Sequence, residues 1–161
     1  MEKRGRTMDK DSSKKEDRIY LEFKTFFKQV KARSELKSRS MPNERVEEFI
    51  ITDTDEPTLK VFYEDAVSDI AERLGVIDRL QDYGGTAIYK LTELQTEQKM
   101  KRTGTLLERV FVNYLLFQWY HSVGLDDHAT EYLQFYQEYL RQYRTNSTQP
   151  GFVKPKHTPY W

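Results

Sequence analysis

The sequence predicts a mainly α-helical protein, a small helical bundle with an antiparallel helical hairpin and extended N- and C-terminal arms. Three observations predict this fold. Apolar residues recur at helical spacing in several long segments. A very short connection around Gly124 joins the last two segments, and short connections place helices antiparallel. Charged or proline-containing segments flank both ends. We therefore divide the chain into a basic N-terminal arm with an amphipathic helix (1–42), a helical core domain (43–144) and an extended Pro/aromatic C-terminal arm (145–161).

The segment from Arg18 to Leu36 is predicted to form an amphipathic basic helix. Its basic side holds Lys24, Lys28 and Lys31, and its apolar residues follow helical spacing: Ile19, Phe23, Phe26, Phe27 and Val30. Pro42 disfavours helical geometry at Met41, so the helix is expected to end before it. The next segment, 45–51, fits a short helix or a strand.

The next helix has clear boundaries. Asp53, Thr54 and Asp55 offer N-cap oxygens, Pro57 suits the first turn, and Gly75 ends the helix. One apolar stripe runs between these limits: Leu59, Phe62, Ala66, Ile70 and Leu74. In residues 76–104 the segment 82–85 indicates a turn, whereas 87–94 fits both alternation and helical spacing, so we predict a loop or hairpin.

A helical hairpin is predicted for the second half of the chain. Thr105 and Glu108 have the spacing of a capping box, which predicts that the central helix starts at Thr105. This helix is apolar around most of its circumference and must be covered on several sides. Gly124 closes it, Asp126 or Asp127 caps the last helix, and that helix is expected over about 127–144.

Two aromatic groups suggest a partner-binding role. The last helix carries Tyr132, Tyr136, Tyr139 and Tyr143, which suit either a subunit boundary or the rim of the protein's own core. The C-terminal segment carries Phe152, Val153, Tyr160 and Trp161 on a backbone that prolines keep from forming a helix. We interpret this segment as an arm that buries its rings on another subunit, the alternative being that it folds back on its own domain.

Composition narrows the possible classes of function. The chain has no cysteine, which excludes disulfides and thiolate chemistry and fits a reducing compartment. The apolar stretch 110–123 is shorter than the ~20 residues that a bilayer requires and contains polar side chains, so it is expected to be a buried helix. The first residues do not have the pattern of a secretory signal, which predicts a protein kept inside a cell or packed in a particle made there.

The neutral total charge conceals a separation of charge along the chain. Residues 1–42 hold 13 Lys/Arg against 7 Asp/Glu, whereas residues 43–144 hold 11 against 19. A basic arm beside an acidic body can bind its own domain, a neighbouring copy or nucleic acid, or residues 1–17 can remain a solvated tail.

Few residues suggest catalytic or metal chemistry. His121 and His128 flank Asp126 and Asp127, which could gather a divalent metal, but the two aspartates are already explained as helix caps. We therefore expect no enzymatic activity, no cofactor and no metal. The basic helix, with Phe26 and Phe27, could contact DNA through a set of cations: Lys24, Lys28, Lys31, Arg33 and Lys37.

The segment from Phe62 to Gly75, the apolar hairpin from Leu106 to Tyr143 and the proline-rich arm resemble the head-tail connector (adaptor) proteins of tailed bacteriophages, with crass-like phage ring proteins as the nearest subgroup. The resemblance covers about residues 57–144 and rests on helix order and pattern. The long basic N-terminal extension and an insertion at 82–102 depart from the family's pattern.

The resemblance implies a non-enzymatic ring subunit, usually a dodecamer, that lies beneath the portal and around the DNA channel. It also implies portal and adjacent tail ring proteins as partners, phage DNA as a non-specific contact, and a place in the virion after synthesis in the bacterial cytoplasm. Phe152, Tyr160 and Trp161 would be the docking arm. The alternative is a DNA-binding regulator or packaging accessory protein that uses the basic N-terminal helix.

Overall fold

The protein is described by a computed structural model covering residues 18–41, 46–74, 78–81, 85–90 and 97–147. Its helices and strands follow in chain order: β1 (Arg18–Glu22), α1 (Phe23–Ser38), α2 (Glu56–Leu74), β2 (Asp78–Gln81), β3 (Thr86–Lys90), α3 (Glu97–Ser122) and α4 (Asp126–Ser147). Two short 3-10 helices, Val46–Phe49 and Asp53–Asp55, lie between α1 and α2. The prediction of a mainly α-helical fold with a helical hairpin, α3 and α4, is confirmed.

Residues 18–22 form a strand, so the predicted helix from Arg18 is wrong in its first turn. Side chains alternate along β1, with Ile19 and Leu21 buried and Tyr20 and Glu22 exposed. The strand pairs antiparallel with β3, which also pairs with β2, in the order β1-β3-β2. The prediction failed because Ile19 matches both the alternation of a strand and the helical spacing that begins at Phe23.

The predicted hairpin within residues 76–104 is confirmed, because β2 and β3 pair antiparallel. Gly85 precedes β3 with φ of +83°, a conformation that favours glycine. The predicted helix start at Thr105 is wrong, since α3 begins at Glu97. The Thr105 hydroxyl donates to the Lys101 carbonyl at 3.0 Å, so it bonds back within the helix instead of capping its end.

The first turn and the end of α2 agree with the prediction, but Asp53, Thr54 and Asp55 form a 3-10 helix of their own, and the capping bonds lie at the start of that helix, at Thr52. The backbone N–H and hydroxyl of Thr52 both donate to Asp55 Oδ2, at 2.8 and 3.0 Å. Pro57 lies in the first turn, and α2 ends at Leu74, directly before Gly75. The segment 45–51 was left open between helix and strand, and in its described part, residues 46–51, Val46–Phe49 forms a 3-10 helix.

The core forms around α3, which contacts α1, α2, α4 and β1. The Phe111 ring on α3 meets the rings of Phe26, Tyr63 and Tyr89 at centroid distances of 5.2, 6.1 and 6.1 Å. Because α1 contributes to this cluster, residues 18–41 of the predicted arm belong to the domain. Within the described ranges, no helix has the length and apolar character needed to cross a bilayer.

Two tyrosine hydroxyls fasten the sheet to α2. The Tyr63 hydroxyl donates to the Leu21 carbonyl and accepts from the Ala87 backbone N–H at 3.0 Å. The Tyr89 hydroxyl, on β3, donates to the Val67 carbonyl of α2 at 2.6 Å. Burial raises the pKa of Tyr63 to about 12, so the phenol stays protonated and continues to donate at pH values near 10, where an exposed tyrosine ionises.

Candidate interaction surfaces

The five basic residues of α1 lie on two flanks of the helix. Since each residue turns the helix by about 100°, Lys24, Lys28 and Lys31 share one flank, while Arg33 and Lys37 share the other. Lys24 and Lys28 are exposed, and the Lys31 ammonium binds Asp53 Oδ1 at 2.5 Å.

The second flank of α1 faces α4. The Lys37 ammonium binds Glu131 Oε2 at 2.7 Å and lies 5.9 Å from the centre of the Tyr132 ring. Arg33 is exposed one turn earlier. The predicted cations are therefore not one continuous stripe: two are held by carboxylates of the same chain.

Phe26 and Phe27, which were considered as part of a DNA-binding helix, are buried in the core. Their rings are 5.2 Å from Phe111 and 5.7 Å from Phe23, respectively, by centroid distance. They are therefore excluded as surface contacts of this helix, and any nucleic acid would meet only the cations.

An open groove of about 500 Å³ runs between α1 and α4, with α3 as its floor. We call it the α1–α4 groove; its lining residues are Arg33, Leu36, Lys37, Ser40, Asn113, Tyr132, Phe135 and Tyr139. Leu36 is 61% exposed and Phe135 is 43% exposed, so the groove presents two large apolar side chains to solvent. Cations lie on the α1 side of the same groove.

Most of the predicted partner-binding tyrosines of α4 are buried within this chain. Tyr132, Tyr136 and Tyr143 belong to the core, and burial raises the pKa of all three, that of Tyr143 to about 12. The Tyr136 hydroxyl donates to Asp69 Oδ2 of α2 at 3.1 Å. Tyr139 is half-buried at the groove. The alternative interpretation, that these residues serve the protein's own core, therefore accounts for three of the four.

The side of α2 opposite the core is acidic. We call it the α2 outer face; its exposed residues are Val61, Glu64, Asp65, Ser68 and Glu72. Val61 is 55% exposed and is the one large apolar residue among them. This face was not predicted from the sequence. The sequence feature that could have indicated this face is an apolar residue outside the buried stripe, followed by two carboxylates three and four residues later.

A second basic region lies on the first half of α3. Lys101, Arg102 and Arg109 line a shallow depression of about 420 Å³ together with Gln98, Thr105 and Leu106. The Arg109 guanidinium lies 5.5 Å from the centre of the Tyr139 ring. This region was not predicted, because residues 97–104 were expected to form a loop or hairpin, in which side chains that are neighbours on a helix cannot be recognised.

The histidines considered as metal ligands form separate pairs. His121 Nδ1 lies 3.3 Å from Asp126 Oδ1, and both side chains are exposed. His128 Nδ1 lies 4.0 Å from Glu131 Oε2. In the part of the chain that the structure describes, His, Cys, Asp and Glu side chains form no group of three that could hold a metal ion.

Phe152, Val153, Tyr160 and Trp161, the predicted docking arm, lie outside the described residues. No protein-family model, curated protein or solved structure matches the chain.

Proposed function

We propose that the protein is a structural subunit that assembles with copies of itself, in the ring that joins the portal and capsid of a tailed phage to its tail. The observation that carries the proposal is the separation of charge between two helices of one domain. Helix α1 holds five basic residues and one acidic residue, whereas α2 holds five acidic and two basic residues.

A closed ring requires two different surfaces on each subunit, because its contacts are heterologous and the surface of one copy meets another surface of the next. The flank of α1 that holds Arg33 and Lys37 and the α2 outer face supply such a pair. Charges of opposite sign on the two surfaces favour the correct encounter and disfavour contacts between equal surfaces. The virion location and the portal as partner are part of the proposal and rest on the resemblance of the sequence to phage connectors.

Light scattering at low and high salt tests self-association. Because exposed charges are screened by salt, we expect oligomers at low ionic strength that dissociate as salt rises. Electron micrographs of the oligomer should show a ring with a central hole. A protein that stays monomeric at every concentration and salt level, with purified portal protein added, would refute the proposal.

The role of the C-terminal arm can be tested with tryptophan fluorescence. The chain has two tryptophans, and Trp119 is buried with its indole N–H donating to the Phe49 carbonyl at 2.9 Å. Trp119→Phe therefore leaves Trp161 as the only tryptophan. We expect Trp161 emission to shift to the blue, and to become protected from iodide, on assembly or on portal binding. Protection in the isolated monomer would show instead that the arm folds back on its own domain.

DNA binding is the second candidate, favoured by the exposed ammonium groups of Lys24 and Lys28 on one flank of α1. If it holds, affinity for duplex DNA falls steeply with salt and is lost when both lysines become Ala. Lys37→Ala is the matched control, since that ammonium is already bound to Glu131. Equal effects of the two changes would contradict binding by the exposed flank.

A further inference from the structure

Large apolar side chains that are exposed are few in the described part of the chain: Tyr20, Leu36, Val61 and Phe135. Two of them, Leu36 and Phe135, converge in the α1–α4 groove, although they are far apart in sequence. A third, Val61, is set among the carboxylates of the α2 outer face. The groove is a recessed apolar site beside cations, and the α2 outer face presents an exposed apolar residue beside carboxylates. The two surfaces are therefore complementary in shape and in charge.

We infer that the α1–α4 groove of one copy binds the α2 outer face of a second copy, with Val61 inserted between Leu36 and Phe135. The inference rests on the proposed function as a self-assembling subunit and names the two surfaces that would meet. The contact does not use the C-terminal arm, which stays available to bind the portal or the next ring.

The dimensions of the two surfaces agree. The α4 wall of the groove runs from Tyr132 to Tyr139, which at 1.5 Å per residue is about 10 Å, or two helical turns. The segment from Val61 to Ser68 has the same length and remains exposed on one side of α2. Two turns of a helix can therefore lie along the groove, since packed helices approach to axis distances of about 8–10 Å.

The charges fall at matching positions. Arg33 lies three residues before Leu36, so its guanidinium lies one turn from the apolar site. Glu64 and Asp65 lie three and four residues after Val61, on the same exposed side of α2. When Val61 enters the groove in the antiparallel sense, these carboxylates reach the Arg33 end. Guanidinium groups bind carboxylates through paired hydrogen bonds, which would fix the register.

A second copy fits the groove better than the protein's own C-terminal segment. That segment carries Lys154 and Lys156, which would enter a groove whose wall already holds the exposed cation Arg33, with Lys37 bound to Glu131. The α2 outer face brings carboxylates instead. Because groove and face belong to different helices, each bound pair leaves one groove and one face free, and the contact continues into a ring or a filament.

A charge exchange in the full-length protein tests the inference. Arg33→Glu and Glu64→Arg should each weaken self-association at least about tenfold, and the two together in one chain should restore it. Lys28→Glu, on the other flank of α1, and Glu108→Lys, exposed on α3, change the net charge equally and should leave association unchanged. Sedimentation velocity gives the dissociation constants, and circular dichroism verifies the fold of each variant.

Mixing two dead-end variants tests the head-to-tail geometry. Leu36→Asp disables the groove and Val61→Asp disables the face, and both positions are exposed, so the fold should survive. Each variant alone should be monomeric, and an equimolar mixture should give a 1:1 heterodimer and nothing larger. If both variants alone assemble like the wild type, the inference is overturned while the proposed function stands.

Two further outcomes separate the inference from the proposed function. A wild-type protein that is monomeric under all conditions removes both. If deletion of residues 148–161 abolishes assembly while Leu36→Asp and Val61→Asp leave it intact, the C-terminal segment is the connecting element and the groove contact is refuted.

Discussion

Replacing Tyr63 by Phe should lower the free energy of unfolding by about 1–3 kcal/mol, although it removes a single oxygen atom. The hydroxyl donates to the Leu21 carbonyl and accepts from the Ala87 N–H at 3.0 Å, and all three residues are buried. Phenylalanine fills almost the same space but leaves a backbone donor and a backbone acceptor without their partner.

The magnitude follows from what those two groups can do afterwards. An unpaired buried backbone group costs about 1–3 kcal/mol, so two of them would cost up to about 6 kcal/mol if nothing moved. However, Leu21 and Ala87 are opposite each other in the β1–β3 ladder. A small approach of the strands lets the N–H bond the carbonyl directly and recovers part of the loss. We therefore expect a loss of about 1–3 kcal/mol, the lower half of what two unpaired groups would cost without relaxation.

Tyr120→Phe is the matched control, because Tyr120 is also fully buried but its hydroxyl has no hydrogen-bond partner among the described residues. Removing an unsatisfied hydroxyl should leave stability unchanged or raise it by up to about 1 kcal/mol. Urea unfolding followed by circular dichroism gives both free energies. Equal destabilisation by the two changes would refute the reasoning, because the hydrogen-bond partners of the Tyr63 hydroxyl would then make no difference to stability.

Three further changes have definite expected outcomes. Gly104→Ala should stabilise α3 by about 0.5–1 kcal/mol, because an added Cβ meets no atom within 4 Å. Gly124→Ala should destabilise the protein, because φ at this position is +79°. Thermal unfolding should show a higher Tm for the first variant and a lower Tm for the second. Hydrogen bonds from Arg141 and Gln142 lower the pKa of Glu138 to about 2, so the stabilisation from this carboxylate is present above its ordinary pKa and is lost as pH falls toward 2. In Arg141→Ala, NMR titration should show a Glu138 pKa raised toward the ordinary value, with the Gln142 bond retained. Burial raises the pKa of Tyr143 to about 12, so the stabilisation that its neutral, buried phenol gives the fold is complete below about pH 10 and is lost as pH rises through 12. Unfolding at alkaline pH, followed by circular dichroism, measures this loss.

The elements that sequence reasoning predicted well are those with long patterns and clear ends. Helix α2 has its buried residues at helical spacing, Pro57 in its first turn and Gly75 after its last residue. The turn between α3 and α4 is marked by Gly124, whose φ is +79°. In these places local preference and tertiary packing favour the same structure, so the sequence pattern is sufficient.

The errors fall where a short pattern has two solutions. Ile19 fits a strand and a helix equally, and only pairing with β3 decides for the strand. Thr105 fits a helix start and a helix interior, and the extra turns of α3 before it decide for the interior. The first decision depends on contacts with residues distant in sequence, and the second depends on the helix that continues through residues 97–104, whose pattern does not distinguish a helix from a loop or hairpin.

Surfaces were harder to predict than elements. Helical spacing placed the α4 tyrosines together, but it did not tell whether α1, α2 or another subunit covers them, and α2 covers Tyr136 through Asp69. The α1–α4 groove could not be predicted at all, because Leu36 and Phe135 become neighbours only when α1 and α4 pack on α3. Interaction sites made from different helices require the packing to be known.

The closed core limits what kind of assembly this subunit can form. Although α3 is apolar around most of its circumference, Phe111, Leu115 and Leu116 are fully covered by elements of the same chain. Association is therefore not needed to complete the interior of the described domain, and an obligate, apolar interface of the kind that resembles a divided core is not expected. The contacts that remain are the charged groove and face, which salt weakens without unfolding the subunit. Dissociation by salt and unfolding by urea should accordingly be separate transitions, and a single concentration-dependent transition would contradict assembly of prefolded subunits.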